Sequence, residues 1–129
     1  MNRQDMLAAV VAALTPLVGG RVYARLFPQP INAAAPTWPA IRITVIDAVP
    51  SESICGDGGE DTADYRLQLD VVTDAAKGGI ELSQLRSQVL TAMRALGPEF
   101  IWAAENEFDE AATKTARVSL DYVVYLSSV

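Results

Sequence analysis

Residues 62–73 read TADYRLQLDVVT. Tyr65, Leu67, Leu69 and Val71 alternate with Arg66, Gln68 and Asp70. Side chains of a strand point to opposite faces in turn, so this pattern predicts a strand with one face on a core and one in polar surroundings. The segment from Thr115 to Ser127 repeats the pattern more strongly. Val118, Leu120, Tyr122, Val124 and Leu126 line one face, and Arg117, Ser119, Asp121, Val123 and Tyr125 the other. Two such strands require a layer to cover their apolar faces, and the rest of the chain supplies it.

Working outward, residues 3 to 14 read as a helix, with Leu7, Val10, Val11 and Leu14 on one stripe. Pro16 and Gly19-Gly20 end it, and Arg21 to Phe27 reads as a short strand. From Ala40 to Val49 the period is again two, with Ile41, Ile43, Val45 and Val49 expected on one face and Arg42 and Thr44 on the other. Asp47 interrupts the apolar face, where this strand is expected to leave the core. A second helix is predicted over residues 80 to 96, from the spacing of Leu82, Leu85, Val89, Met93 and Leu96, and Gly97-Pro98 stops it. Residues 99 to 108 are expected to form a short strand, and Asn106 to Lys114 a polar turn. The order α-β-β-β-α-β-β predicts one α+β domain spanning 1–129. Its sheet of four to five strands is mostly antiparallel, with both helices packed on one face and a long hairpin loop.

Two connectors stand out. Residues 28 to 39 contain Pro28, Pro30, Pro36 and Pro39, which remove backbone donors and favour an extended, irregular path. Trp38 closes that connector, either as an anchor at the core's edge or as an aromatic contact for a partner subunit. Residues 50 to 64 read PSESICGDGGEDTAD, with Glu52, Asp57, Glu60, Asp61 and Asp64 and no basic residue. Three readings of this hairpin loop remain: a solvated tip, a loop that orders on a partner, or a calcium site. The last is the weakest, because the spacing of an EF-hand is missing.

Composition narrows the chemistry. The 129 residues are 50% hydrophobic and 20% charged, enough for a packed core without metal or disulfide. Ten basic against 16 acidic residues leave a net charge of −6, and the arginines are scattered singly. Tight nucleic-acid binding and adhesion to anionic membranes are disfavoured. No apolar run approaches the length of a transmembrane helix, and the N-terminal run from Met6 to Leu14 makes a poor secretory leader. The chain has no histidine and one cysteine, Cys55. Ser-His-Asp and Cys-His catalysis, histidine-based metal sites and cysteine-cluster zinc sites therefore have no material. No phosphate-cradling glycine motif is present. The carboxylates concentrate in a glycine-rich loop, not in the rigid, partly buried positions that acid–base catalysis needs. An enzyme is not expected, and no cofactor or metal is implied.

The run Leu17-Val18-Gly19-Gly20-Arg21-Val22-Tyr23 and the strand Tyr65-Arg66-Leu67-Gln68-Leu69-Asp70-Val71 carry a resemblance. With the order of elements around them, they are similar to the small bacteriophage tail-completion proteins, over nearly the whole chain. The chain departs from that pattern in a longer Pro/Ala connector after Tyr23 and a more acidic hairpin loop. The resemblance implies a non-catalytic structural virion protein, a tail terminator or head-tail joining neck component. Such a protein forms a ring, commonly of six copies, at the head-proximal end of the tail. Its partners would be further copies of itself, the tail tube protein and the head-completion or connector protein. DNA would pass through without specific binding, and an acidic lumen would keep the phosphate backbone from sticking. The residues expected to contact neighbours are Glu52, Asp57, Glu60, Asp61, Asp64, Trp38, Arg21 and Arg25. The other reading is a small ligand-binding or regulatory α+β domain, whose pocket would be lined by Trp38, Tyr65, Trp102 and Tyr122.

Overall fold

The computed structural model describes residues 2–24, 37–49, 63–110 and 114–126. The Pro-rich connector and the acidic loop therefore lie, for the most part, outside the described residues. The elements are α1 (Arg3–Leu14), β1 (Val22–Ala24), β2 (Ala40–Val49), β3 (Asp64–Asp74), α2 (Gly78–Ala95), β4 (Phe100–Glu110) and β5 (Thr115–Tyr125), in the order the sequence predicts.

The five strands form one sheet in the order β1-β2-β3-β5-β4. Every neighbouring pair is antiparallel except β1 with β2, which is parallel. The expected hairpin between β2 and β3 is present as a pairing that runs out to Val49 and Asp64.

Register explains the core. Ile41 pairs with Val71 and Val71 with Val118; Ile43 pairs with Leu69 and Leu69 with Leu120. These transverse rows put the apolar side chains of three adjacent strands on a single face, and all six are buried. Met6, Val10 and Leu14 of α1 and Leu82, Leu85, Val89 and Met93 of α2 complete the same cluster. The buried line of α1 is thus Met6-Val10-Leu14, with Leu7 and Val11 at its margin. The predicted stripe is rotated by part of a turn, because Met6 reaches the core where the sequence favours Leu7.

Local signals set the helix ends. The Asn2 side chain caps α1 by accepting from the Asp5 N–H at 2.8 Å. A 3₁₀ turn over Thr15–Leu17 carries the chain off α1. Gly19 and Gly20 then adopt φ of 59° and 87°, a left-handed conformation that costs other residues energy, and this reversal delivers Arg21 to the start of β1.

Two expectations about strands are overturned. A bulge between Val45 and Asp47 inserts one residue into β2, so Val49 pairs with Asp64 on the face opposite Ile41 and Ile43 and is 56% exposed. A one-residue slip reverses the parity of everything after it. Secondly, the stretch from Asn106 to Glu110 is not a turn: it continues β4, paired with β5 out to Glu110 and Thr115. Its side chains alternate weakly because the strand lies at the sheet edge and neither face of this half is deeply covered.

Candidate functional site

The sheet face away from the helices carries a polar row. Tyr23, Arg42, Asp70, Ser119 and Asn106 stand side by side across all five strands. Asp70, at its centre, is fully buried. Its Oδ2 accepts from Arg42 Nε at 2.9 Å and from Arg42 Nη2 at 2.6 Å. Its Oδ1 accepts from Gln68 Nε2 at 2.9 Å and from the Ser119 hydroxyl. Burial pushes the carboxyl up, but the hydrogen bonds from Ser119, Gln68 and Arg42, with the charge of Arg42, outweigh it and hold it below its ordinary range. With both oxygens engaged, Asp70 is poorly placed to take a proton from a substrate. It ties β2, β3 and β5 in one register.

The β4 edge is built differently. Arg86, on the side of α2 turned to this strand, donates to both carboxylate oxygens of Glu105, from Nε at 2.8 Å and from Nη2. The same guanidinium lies 5.3 Å from the centre of the Trp102 ring. The hydrogen bonds from Arg86 hold the Glu105 carboxyl below its usual range and raise the Arg86 guanidinium in turn. On the other face, Arg117 stacks 4.7 Å from the Phe108 ring centre and its Nη2 approaches Glu110 at 3.4 Å. Between α2 and β4 opens a groove of about 540 Å³, with Leu90, Arg94, Phe100, Ile101, Trp102 and Tyr122 on its walls. Burial pushes the Tyr122 phenol up to about 12, although Arg94 and Arg86 oppose the shift.

The sequence-predicted contact residues separate into groups. Arg21 and Trp38 come together at the start of β2: Arg21 Nε donates to the carbonyl of Pro39 at 2.8 Å, and the Trp38–Pro39 peptide is cis. Asp64 stands at the far end of the sheet, opposite Val49 on β2 and Tyr125 on β5. Glu52, Asp57, Glu60, Asp61 and Arg25 lie outside the described residues. The four aromatics proposed for a ligand pocket are dispersed. Tyr65 is in the core, Trp102 and Tyr122 share the α2–β4 groove, and Trp38 is at the opposite edge of the sheet. Among the described residues no group of three or more acids or thiols could hold a metal ion, and no helix is long and apolar enough to cross a membrane.

Sequence reading missed the β4 edge. The available signal was Arg86, which lies off the apolar stripe of its helix, and the acids of 105–110 on a segment read as a turn. Asp70 was legible as a polar-face residue; its burial was not, because Arg42 and Ser119 are 28 and 49 residues away.

Three comparisons bear on this arrangement. Residues 4–127 match the model of a family described as Tail completion protein gp17. A chain of a solved structure entitled "Virion of native gene transfer agent (GTA) particle" superposes with a TM-score of 0.66 at 20% identity, over 91% of this chain and 90% of that one. No curated protein matches.

Proposed function

Because the chain belongs to the tail completion protein gp17 family, and is thereby a structural protein of a phage tail, we propose that it forms a closed ring at the head-proximal end of that tail. The ring stops growth of the tail tube and presents a surface to the head connector. It binds the tube protein on one side and the head-completion protein on the other, and it catalyses no reaction. It assembles in the host cytoplasm and stays in the virion neck, as six copies of one domain. DNA passes through it without being held.

The observation that carries this reading is the match over residues 4–127, combined with a sheet whose two edges differ. A closed ring requires a heterologous contact in which two different surfaces of one subunit meet. The chain offers such a pair, a long acidic edge at β4 and a short edge at β1 flanked by Arg21. The acidic balance, net −6, suits a lumen through which a polyphosphate must slide.

The test is to make tails without this protein and examine them by electron microscopy. Tubes of uncontrolled length that fail to join heads are expected, with purified protein restoring defined length and a ring at one end. Tails of normal length that join heads in its absence would overturn the reading.

A further inference from the structure

We infer that neighbouring copies of this chain join edge to edge, with the outer edge of β4 in one copy pairing antiparallel with the β1–β2 edge of the next. The inference deepens the ring reading and rests on it.

The sheet has two unlike edges. β4 runs for 11 residues, and among the described residues no strand covers its outer side. At the other edge β1 covers β2 only from Ile41 to Ile43, so Thr44–Val49 has no outer strand neighbour among the described residues. Uncovered edges present rows of N–H and C=O groups that invite another strand.

Strand direction favours the unlike pair. β1 and β2 run one way, β3 the other, β5 with β2, and β4 against it. A second copy placed beside the first in the same orientation brings β4 against β1 and β2 in antiparallel sense, which continues the pattern of the sheet. Pairing β4 with β4 would make an isologous contact and stop at two copies. It would also oppose Glu105, Glu107, Asp109 and Glu110 to themselves, an unfavourable meeting of like charges.

Side chains agree with the same pairing. Among the described residues seven large hydrophobics are exposed; Ile101, Trp102 and Phe108 lie on the edge strand β4, and Ile46 and Val49 on the part of β2 beyond its pairing with β1. The transverse rows say how they would meet. The row through Ile101 passes Val123 and Arg66 and ends at Asp47, between Ile46 and the exposed end of β2. The row through Asn106 ends at Tyr23 on β1. If the sheet continues from copy to copy, the apolar start of β4 faces the apolar end of β2 across the step left by the width of β1, where large side chains can close the gap. The acidic end of β4 then meets β1 beside Arg21. Charge and apolar surface are complementary in this one sense of pairing and not in the parallel one.

The experiment uses the full chain carrying Cys55→Ser, with Tyr23→Cys and Asn106→Cys introduced together and separately. Ala104→Cys and Phe108→Cys replace Asn106→Cys in companion variants, to follow the register two residues either way on the same face. Each is oxidised as concentrated protein and after incubation with tail tubes. A ladder of covalent multimers on a non-reducing gel is expected from at least one double variant, with each single variant giving none beyond dimers. In the unaltered chain, hydrogen exchange at β4 and at Thr44–Val49 is expected to slow on assembly. Multimers by light scattering with no ladder from any pair and no added protection would overturn the edge pairing and leave the ring standing. A chain that stays monomeric at every concentration and on tubes would overturn the ring, and this inference with it.

Discussion

Around Asp70 the two faces of β3 are both buried, but they are held by different physics. Towards the helices, Leu67, Leu69 and Val71 are at most 1% exposed and surrounded by apolar side chains of α1, α2, β2 and β5. Towards the other side, Asp70 is just as buried but sits in hydrogen bonds from Arg42, Gln68 and Ser119. The first face is stabilised by removing area from water and tolerates substitutions of similar volume. The second is stabilised only while every partner is in place, since a lone charge left buried is costly. The apolar face holds the layers together, and the polar row fixes the register between strands.

Breaking the polar row is expected to have the largest effect. Asp70→Leu leaves the Arg42 guanidinium half-buried against an apolar side chain, and should cost about 3–5 kcal/mol in urea unfolding. A loss below about 1 kcal/mol would mean that the row is bridged by water and adds little. Leu69→Ala, on the opposite face of the same strand, should cost about 3 kcal/mol through lost burial and a residual cavity. An equal loss from Leu69→Met would contradict a volume-driven core.

Titration separates the two faces by pH. Tyr122 lies on the helix side with its phenol pushed up to about 12 by burial. A raised value means that the folded chain keeps the proton longer than the unfolded chain does. Its contribution is complete below about pH 10, the unfolded value, and is lost as pH climbs towards 12. Melting temperature should fall in that window, and Tyr122→Phe should flatten the fall. Asp70 has the opposite sign, with a folded value held low. Its contribution is complete above about pH 4 and disappears as pH drops through the folded value, so Asp70→Asn should remove part of the acid sensitivity. The smallest effect belongs to the β4 edge. Glu105→Gln weakens a partly exposed pair with Arg86 and should change stability by less than about 1 kcal/mol. Ring formation on tail tubes is the property to measure beside it; unchanged stability with impaired assembly would assign the edge to contacts between subunits.

Much of the fold was legible because periodicity is local. Arg3–Leu14 was bounded correctly from an apolar stripe and Pro16, and the strands read over Thr62–Thr73 and Thr115–Ser127 from strict alternation fall within two residues of β3 and β5 at each end. Alternation failed where parity slips. Nothing between Val45 and Asp47 announces a bulge, so Val49 was assigned to the wrong face. The length of β4 was missed for a related reason, because an edge strand without a deeply buried side has no alternation to show. Of the residues expected to make contacts, Arg21 and Trp38 were brought together at the start of β2, through a hydrogen bond to Pro39 that no local pattern encodes.

By itself the sequence determined the class, the order of elements, the apolar faces of β3 and β5 and the absence of histidine chemistry. Each of these depends on residues a few positions apart or on composition. The tertiary structure alone decided which strands stand next to one another, that Asp70 is buried with Arg42 and Ser119, and that acidic β4 and the β1–β2 strip form opposite edges. Those are properties of chain segments tens of residues apart. Their meeting is set by how the apolar faces of a whole sheet and two helices can be covered at once, and no short stretch of sequence carries that information.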